Sequence, residues 1–204
     1  MRIQRNEWPI LCANVLYIVG FGTLAATRAN YEFVIYGLGI VGLFALIFFY
    51  QRRVEFTPFT LWALTLWGCL HMAGGNLFPR GIRLYDVILV GLIPKHSILK
   101  YDQFVHLVGF AAATLVGYHL LRAHLRPGRH RWLALSMLIA LVGMGFGALN
   151  EVVEFFVVLT VPESGVGGYA NTGFDLVFNM LGALLAVGFI HLQRLRQDRD
   201  LPLV

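Results

Sequence analysis

The chain has 204 residues, of which 58% are hydrophobic and only 13% charged. A soluble domain carries about 25% charged residues, so a mean hydropathy of +0.69 marks an integral membrane protein and excludes a water-soluble enzyme. The formal charge of +5 does not indicate a nucleic-acid partner, because the basic residues are distributed among loops. Cys12 and Cys69 stand far apart in apolar segments, which supports neither a disulfide framework nor a zinc finger.

Apolar windows of about 20 residues are long enough to cross a hydrocarbon core of about 30 Å. In chain order they fall at 9–26, 32–50, 58–75, 101–121, 132–161 and 174–192. The expected architecture is therefore an all-α, polytopic membrane helix bundle of about six spans, in one integral-membrane domain over 1–204. The first window is long for a cleaved leader and five more follow it, so it reads as a span. The segment 83–93 is apolar but too short to cross, and reads as an interfacial or re-entrant piece ended by Pro94. The fifth window exceeds one bilayer thickness and must tilt, kink or project. Asn14 in the first span is expected to hydrogen-bond a neighbouring helix.

Basic residues set the expected sidedness. Eleven of the sixteen Lys and Arg residues fall on the side of the termini and the 2–3 and 4–5 connections. The positive-inside rule then places both termini in the cytoplasm of a bacterial inner membrane. His119, His124, His130 and His191 share that basic end and read as interfacial anchors.

Four acids are costly in this setting. Asp102, Glu151, Glu154 and Asp175 lie in or beside the spans, and each ionised acid at a helix centre costs roughly 2.5–3.5 kcal/mol. His71 ends the third span, Asp102 and His106 begin the fourth, Asn150, Glu151 and Glu154 lie late in the fifth, and Asp175 and Asn179 begin the sixth. With alternating span direction, all of these fall at one outer end. The spacings i, i+3 and i, i+4 put each set on one helix face. Gly109, Gly143, Gly145, Gly147 and Gly182 accompany them, as expected where helices approach closely.

Like charges so gathered need protons or a cation. His71, His106, Asp102, Glu154 and Asp175 form a mixed N/O set suited to a divalent metal such as zinc, manganese or iron. Glu151, Glu154, Asp102 and His106 are the candidate catalytic acids and bases, with Asn150, Asn179, Arg80 and Arg83 as candidate substrate contacts. A metal-free proton relay and a purely structural hydrogen-bonded network remain open beside the metal reading. Lys95, His96 and Lys100 border the same outer side, and the glycine-rich loop 162–173 serves either as a lid or as a plain connection.

The order Tyr101-Asp102-x3-His106, Asn150-Glu151-x2-Glu154 and Asp175-x3-Asn179-x2-Gly182-Ala183 resembles the VanZ-like membrane proteins. With Leu70-His71-Met72-Ala73-Gly74-Gly75 added, it is similar to the uncharacterised YjdF-type bacterial inner-membrane family. The likeness covers about 70–186. It implies a helical bundle with a shared polar site, and supplies no established reaction. Gln103 and Glu154 depart from the lysine and glutamine usual in the VanZ pattern, a difference expected to make the site more acidic. The functional expectation is a membrane-embedded hydrolase or transferase, with or without a metal, acting on a lipid-linked or envelope substrate. The alternatives are an ion-coupled transporter and a non-catalytic, lipid-binding envelope protein. Membrane lipid is the expected partner.

Overall fold

The computed structural model describes residues 5, 7–91, 99–122, 124, 132–161 and 164–199. Lys95, His96, His130 and Pro94 lie outside them. Among the described residues are six α-helices: α1 (Trp8–Thr27), α2 (Tyr31–Val54), α3 (Pro58–Asn76), α4 (Tyr101–Arg122), α5 (Trp132–Thr160) and α6 (Tyr169–Arg199). The fold is all-α, and the chain is a multi-pass membrane protein. Five helices are long and apolar enough to cross a bilayer: α1, α2, α4, α5 and α6.

The expected third span forms as α3 but falls short of that apolarity. His71, Asn76, Thr60 and Thr65 lower it, and the packing explains why this is tolerated. Nine of its 19 residues are buried, Thr60, Thr65 and Asn76 among them. These polar groups are turned to neighbouring helices, while Phe59, Trp62 and Leu66 remain on the exposed side. Thr57 caps its start, accepting from Thr60 N–H, and Pro58 occupies the first turn, where a missing N–H costs nothing.

The segment after α3 does not cross. It forms two short 3-10 turns, Pro79–Gly81 and Leu84–Asp86. It then runs extended to an isolated bridge between Ile88 and Lys100. Tyr101 N–H donates to Val87 O, so this strap is tied to the first turn of α4. Gln103 Oε1 accepts from Leu99 and Lys100 N–H at 2.6 and 3.1 Å, capping α4. Gln103 is thereby committed to the start of the helix.

The bundle is organised around α4, half of whose apolar window is buried against 22% in α1, α2 and α5. It packs on α3, α5 and α6, with α6 its most extensive partner. Gly182 permits this: a β-carbon there would collide with the backbone of α4 at Leu107 and Ala111. On α5, Gly143 receives Thr114 and Ala183, and Gly147 receives the Asn179 side chain. The small residues are therefore contact points at which three helices converge.

Elsewhere Asn14 donates to Thr65 Oγ1 at 2.8 Å, joining α1 to α3 as expected. His119 departs from the interfacial reading. It is buried, 3.2 Å from Thr60 Oγ1, and lies edge-on to Phe56. His191 stacks on Trp132 with ring centroids 5.3 Å apart.

Candidate functional site

The first turns of α4 and α6 lie beside the late turns of α5 and α3, and the polar residues meet there. His106 is the centre. Its Nδ1 is 2.9 Å from Asn179 Oδ1, and Asn179 Nδ2 donates to Glu151 Oε1 at 3.5 Å. An amide oxygen only accepts, so His106 Nδ1 donates in this bond and Nε2 is the ring nitrogen left to face the carboxylates. Nε2 faces Asp102 Oδ1 at 3.6 Å and Glu154 Oε1 at 3.7 Å, while Nδ1 is 3.7 Å from Glu151 Oε1. Glu154 Oε1 in turn accepts from Asn150 Nδ2 at 2.7 Å.

His106, Glu151, Glu154 and Asp175 offer one ligand atom each, all within 4.8 Å of one another. Ligand atoms stand about 2.0–2.2 Å from a bound zinc ion, so small side-chain shifts would let this group close on a cation. Two buried carboxylate oxygens of the group, Glu151 Oε2 and Asp175 Oδ1, have no hydrogen-bond partner among the described residues. A buried carboxylate oxygen left unsatisfied carries a desolvation penalty of about 1–3 kcal/mol or more, which a proton or a cation relieves.

The sequence reading did not single out Asn171. α6 begins at Tyr169, five residues before the expected start, and so carries Asn171 one turn ahead of Asp175. Asn171 Nδ2 donates to Asp175 Oδ2 at 2.5 Å and to Asp102 Oδ2 at 3.2 Å, bridging α4 and α6. Its i, i+4 spacing from Asp175 repeats that of Asp175 and Asn179 and was the available signal.

His71 stays outside the four-donor group. Its Nδ1 is 2.7 Å from Tyr85 Oη, and its ring sits among Phe33, Tyr36 and Trp67. Burial, and secondarily the Asp102 charge, holds the Tyr85 phenol well above its ordinary pKa, so it remains protonated. Gly74 and Gly75 make room for this arrangement, because side chains there would occupy the space of the Tyr85 and Phe33 rings.

His71, Asp102, His106 and Glu154 all line a cavity of about 30 Å3. That is room for an ion or a water or two, since a water needs roughly 10–15 Å3 on this measure. Gly165, Val166 and Gly167 cover it. Gly165 N–H donates to Glu32 Oε2 at 2.8 Å, and Gly165 O accepts from Arg83 Nη2 at 2.6 Å. Arg83 also pairs with Asp86 at 3.1 Å. The cover is thus clamped to α2 and to the strap. Arg80 is not brought to the site; it is exposed in the first 3-10 turn, with a left-handed φ of 56°.

A helical membrane protein with a histidine and several carboxylates converging at one end of the bundle is the class these observations define. The chain belongs to the family described as Predicted membrane protein (DUF2238), whose model matches residues 9–196. That match includes α1 and α2, where no motif stood out. No curated protein and no solved structure matches the chain.

Proposed function

We propose that this protein is a membrane-embedded hydrolase or transferase of the bacterial inner membrane, acting on a lipid-linked or envelope substrate with the help of a divalent cation. The observation that carries this reading is the four-donor group with two unpartnered buried carboxylate oxygens. Three helices, α4, α5 and α6, converge on it, and residues so costly in lipid are ordinarily kept for function. The resemblance to VanZ-like and YjdF-type proteins supports an envelope role. The asymmetry of Lys and Arg supports cytoplasmic termini and a site at the periplasmic face.

In this scheme His106, Glu151, Glu154 and Asp175 would hold the cation, and Asn179 would orient the His106 ring from behind. A bound divalent cation supplies a water acidified toward neutrality. Asp102 is the most exposed carboxylate around His106, at 19%, and faces the cavity. It takes the proton, with Asn171 holding its orientation. Because the cavity is too small for a substrate headgroup, the cover at 164–168 has to move for one to enter.

Elemental analysis of the purified protein tests this directly. A stoichiometric divalent metal, lost in His106→Ala and Glu154→Gln, is expected. A metal-free protein that instead supports flux in liposomes, abolished by Glu151→Gln, would replace the enzyme with a proton-coupled carrier.

A further inference from the structure

A second cavity adjoins the first from the lipid side. α2 packs on α1 and α3, and α5 packs on α4 and α6, while α2 and α5 are not closely packed together. Between them lies a cleft of about 440 Å3 whose floor is α3 and α4. That volume is within the roughly 300–1,000 Å3 of ligand sites. Its lining is almost wholly apolar. Ile40, Leu64 and Phe110 lie buried in it, whereas Ile35, Leu149 and Val153 at its rim are 44–61% exposed. The cleft therefore opens sideways, toward the bilayer.

Its polar end is what distinguishes it from an ordinary groove between helices. Tyr36 and His71 line both this cleft and the small acidic cavity, and Asn150, the partner of Glu154, lines the cleft as well. Tyr36 Oη is buried there with no hydrogen-bond partner among the described residues. A buried hydroxyl in that state is penalised unless an incoming polar group satisfies it. From Tyr36 down to Ile47 the cleft follows α2 for about 16 Å, at 1.5 Å per residue.

We infer that this cleft holds one acyl chain of a glycerophospholipid, whose head then lies at Tyr36 and His71 beside the acidic site. Entry is lateral, past Ile35 and Val153, and the second chain stays in the bilayer. This rests on the reading of the acidic site as acting on lipid, and assigns its substrate class.

The test is photolabelling of the full chain in phosphatidylglycerol–phosphatidylethanolamine liposomes that contain a phospholipid with a diazirine midway along one chain. Cross-links are mapped by mass spectrometry. Labelling of the buried floor, Leu64 and Phe110, is expected to exceed that of lipid-facing Leu16. Gly39 lines the cleft with open space around its α-carbon, so Gly39→Trp should lower floor labelling by at least about tenfold, the equivalent of denying burial to two methylenes. Gly39→Ala should preserve it, and Ala113→Phe should repeat the loss from the floor. Floor labelling no greater than at Leu16, or unchanged in both blocking variants, overturns the assignment. So does competition by a polyprenyl phosphate but not by unlabelled phospholipid. Metal content separates the two readings: floor labelling in a metal-free protein keeps the chain site and removes the metal enzyme, while a metal-loaded protein with an unlabelled floor does the reverse.

Discussion

The α1–α2 pair and the α4–α6 pair are both long and apolar enough to cross a bilayer, and they differ in how closely their glycines are approached. In the first pair Gly20, Gly22, Gly39 and Gly42 have nothing near their α-carbons, and only 22% of each apolar window is buried. In the second, Gly182 lies against the α4 backbone, and Asp102, His106, Asp175 and Asn179 cluster just above that contact. The costly polar groups are found where helix backbones come closest. Close approach removes lipid from around those groups and brings complementary partners within hydrogen-bonding distance, so the packing and the site are one construction.

The strongest way to break this comparison is to substitute glycine in each pair. Gly182→Leu should destabilise the protein by about 3 kcal/mol, the upper range for overpacking, whereas Gly20→Leu should stay within about 0.5 kcal/mol. Unfolding of both variants in detergent checks this, and equal losses would mean that the α4–α6 contact is not special. Next in size is Asn179→Ala, which frees the His106 ring without removing a ligand. Affinity for zinc or manganese, measured by calorimetry, should fall about 10–100-fold, as for other residues that orient a metal ligand. An unchanged affinity would show that the orientation of the His106 ring does not matter to the cation. The smallest effect is expected in α1. Asn14→Ala loses its bond to Thr65 and should cost about 0.6 kcal/mol, the average for hydrogen bonds between membrane helices, with cation affinity untouched.

Much of this was legible in the sequence because lipid makes polar residues conspicuous. The spacing of Asp102 and His106, of Glu151 and Glu154, and of Asp175 and Asn179 identified the faces that meet, and the small residues identified the contacts. Other features depend on three-dimensional surroundings. Asn171 follows the glycines at 165, 167 and 168, which obscure the true start of α6 in the sequence. His119 shares a sequence neighbourhood with surface arginines, and only the packing of α3 on α4 buries it. The capping of α4 by Gln103 has no signature in the sequence, because it depends on the backbone path at Leu99 and Lys100. The lateral cleft could not have been read at all, since it exists only because two helices distant in sequence do not pack closely.

The modest apolarity of α3 has a consequence for how the protein is made. Thr60, Thr65, His71 and Asn76 of this helix gain nothing from lipid contact, and α1 alone can answer only part of that polarity, through Asn14 and Thr65. The stable residence of α3 in the bilayer depends on α4, which emerges from the ribosome later and supplies His119 for Thr60 and the Tyr101 hydroxyl for Leu70 O. Biogenesis of the amino-terminal half is therefore tied to synthesis of the middle. A chain arrested after α3 should be retained by the insertion machinery or degraded rather than released into the membrane.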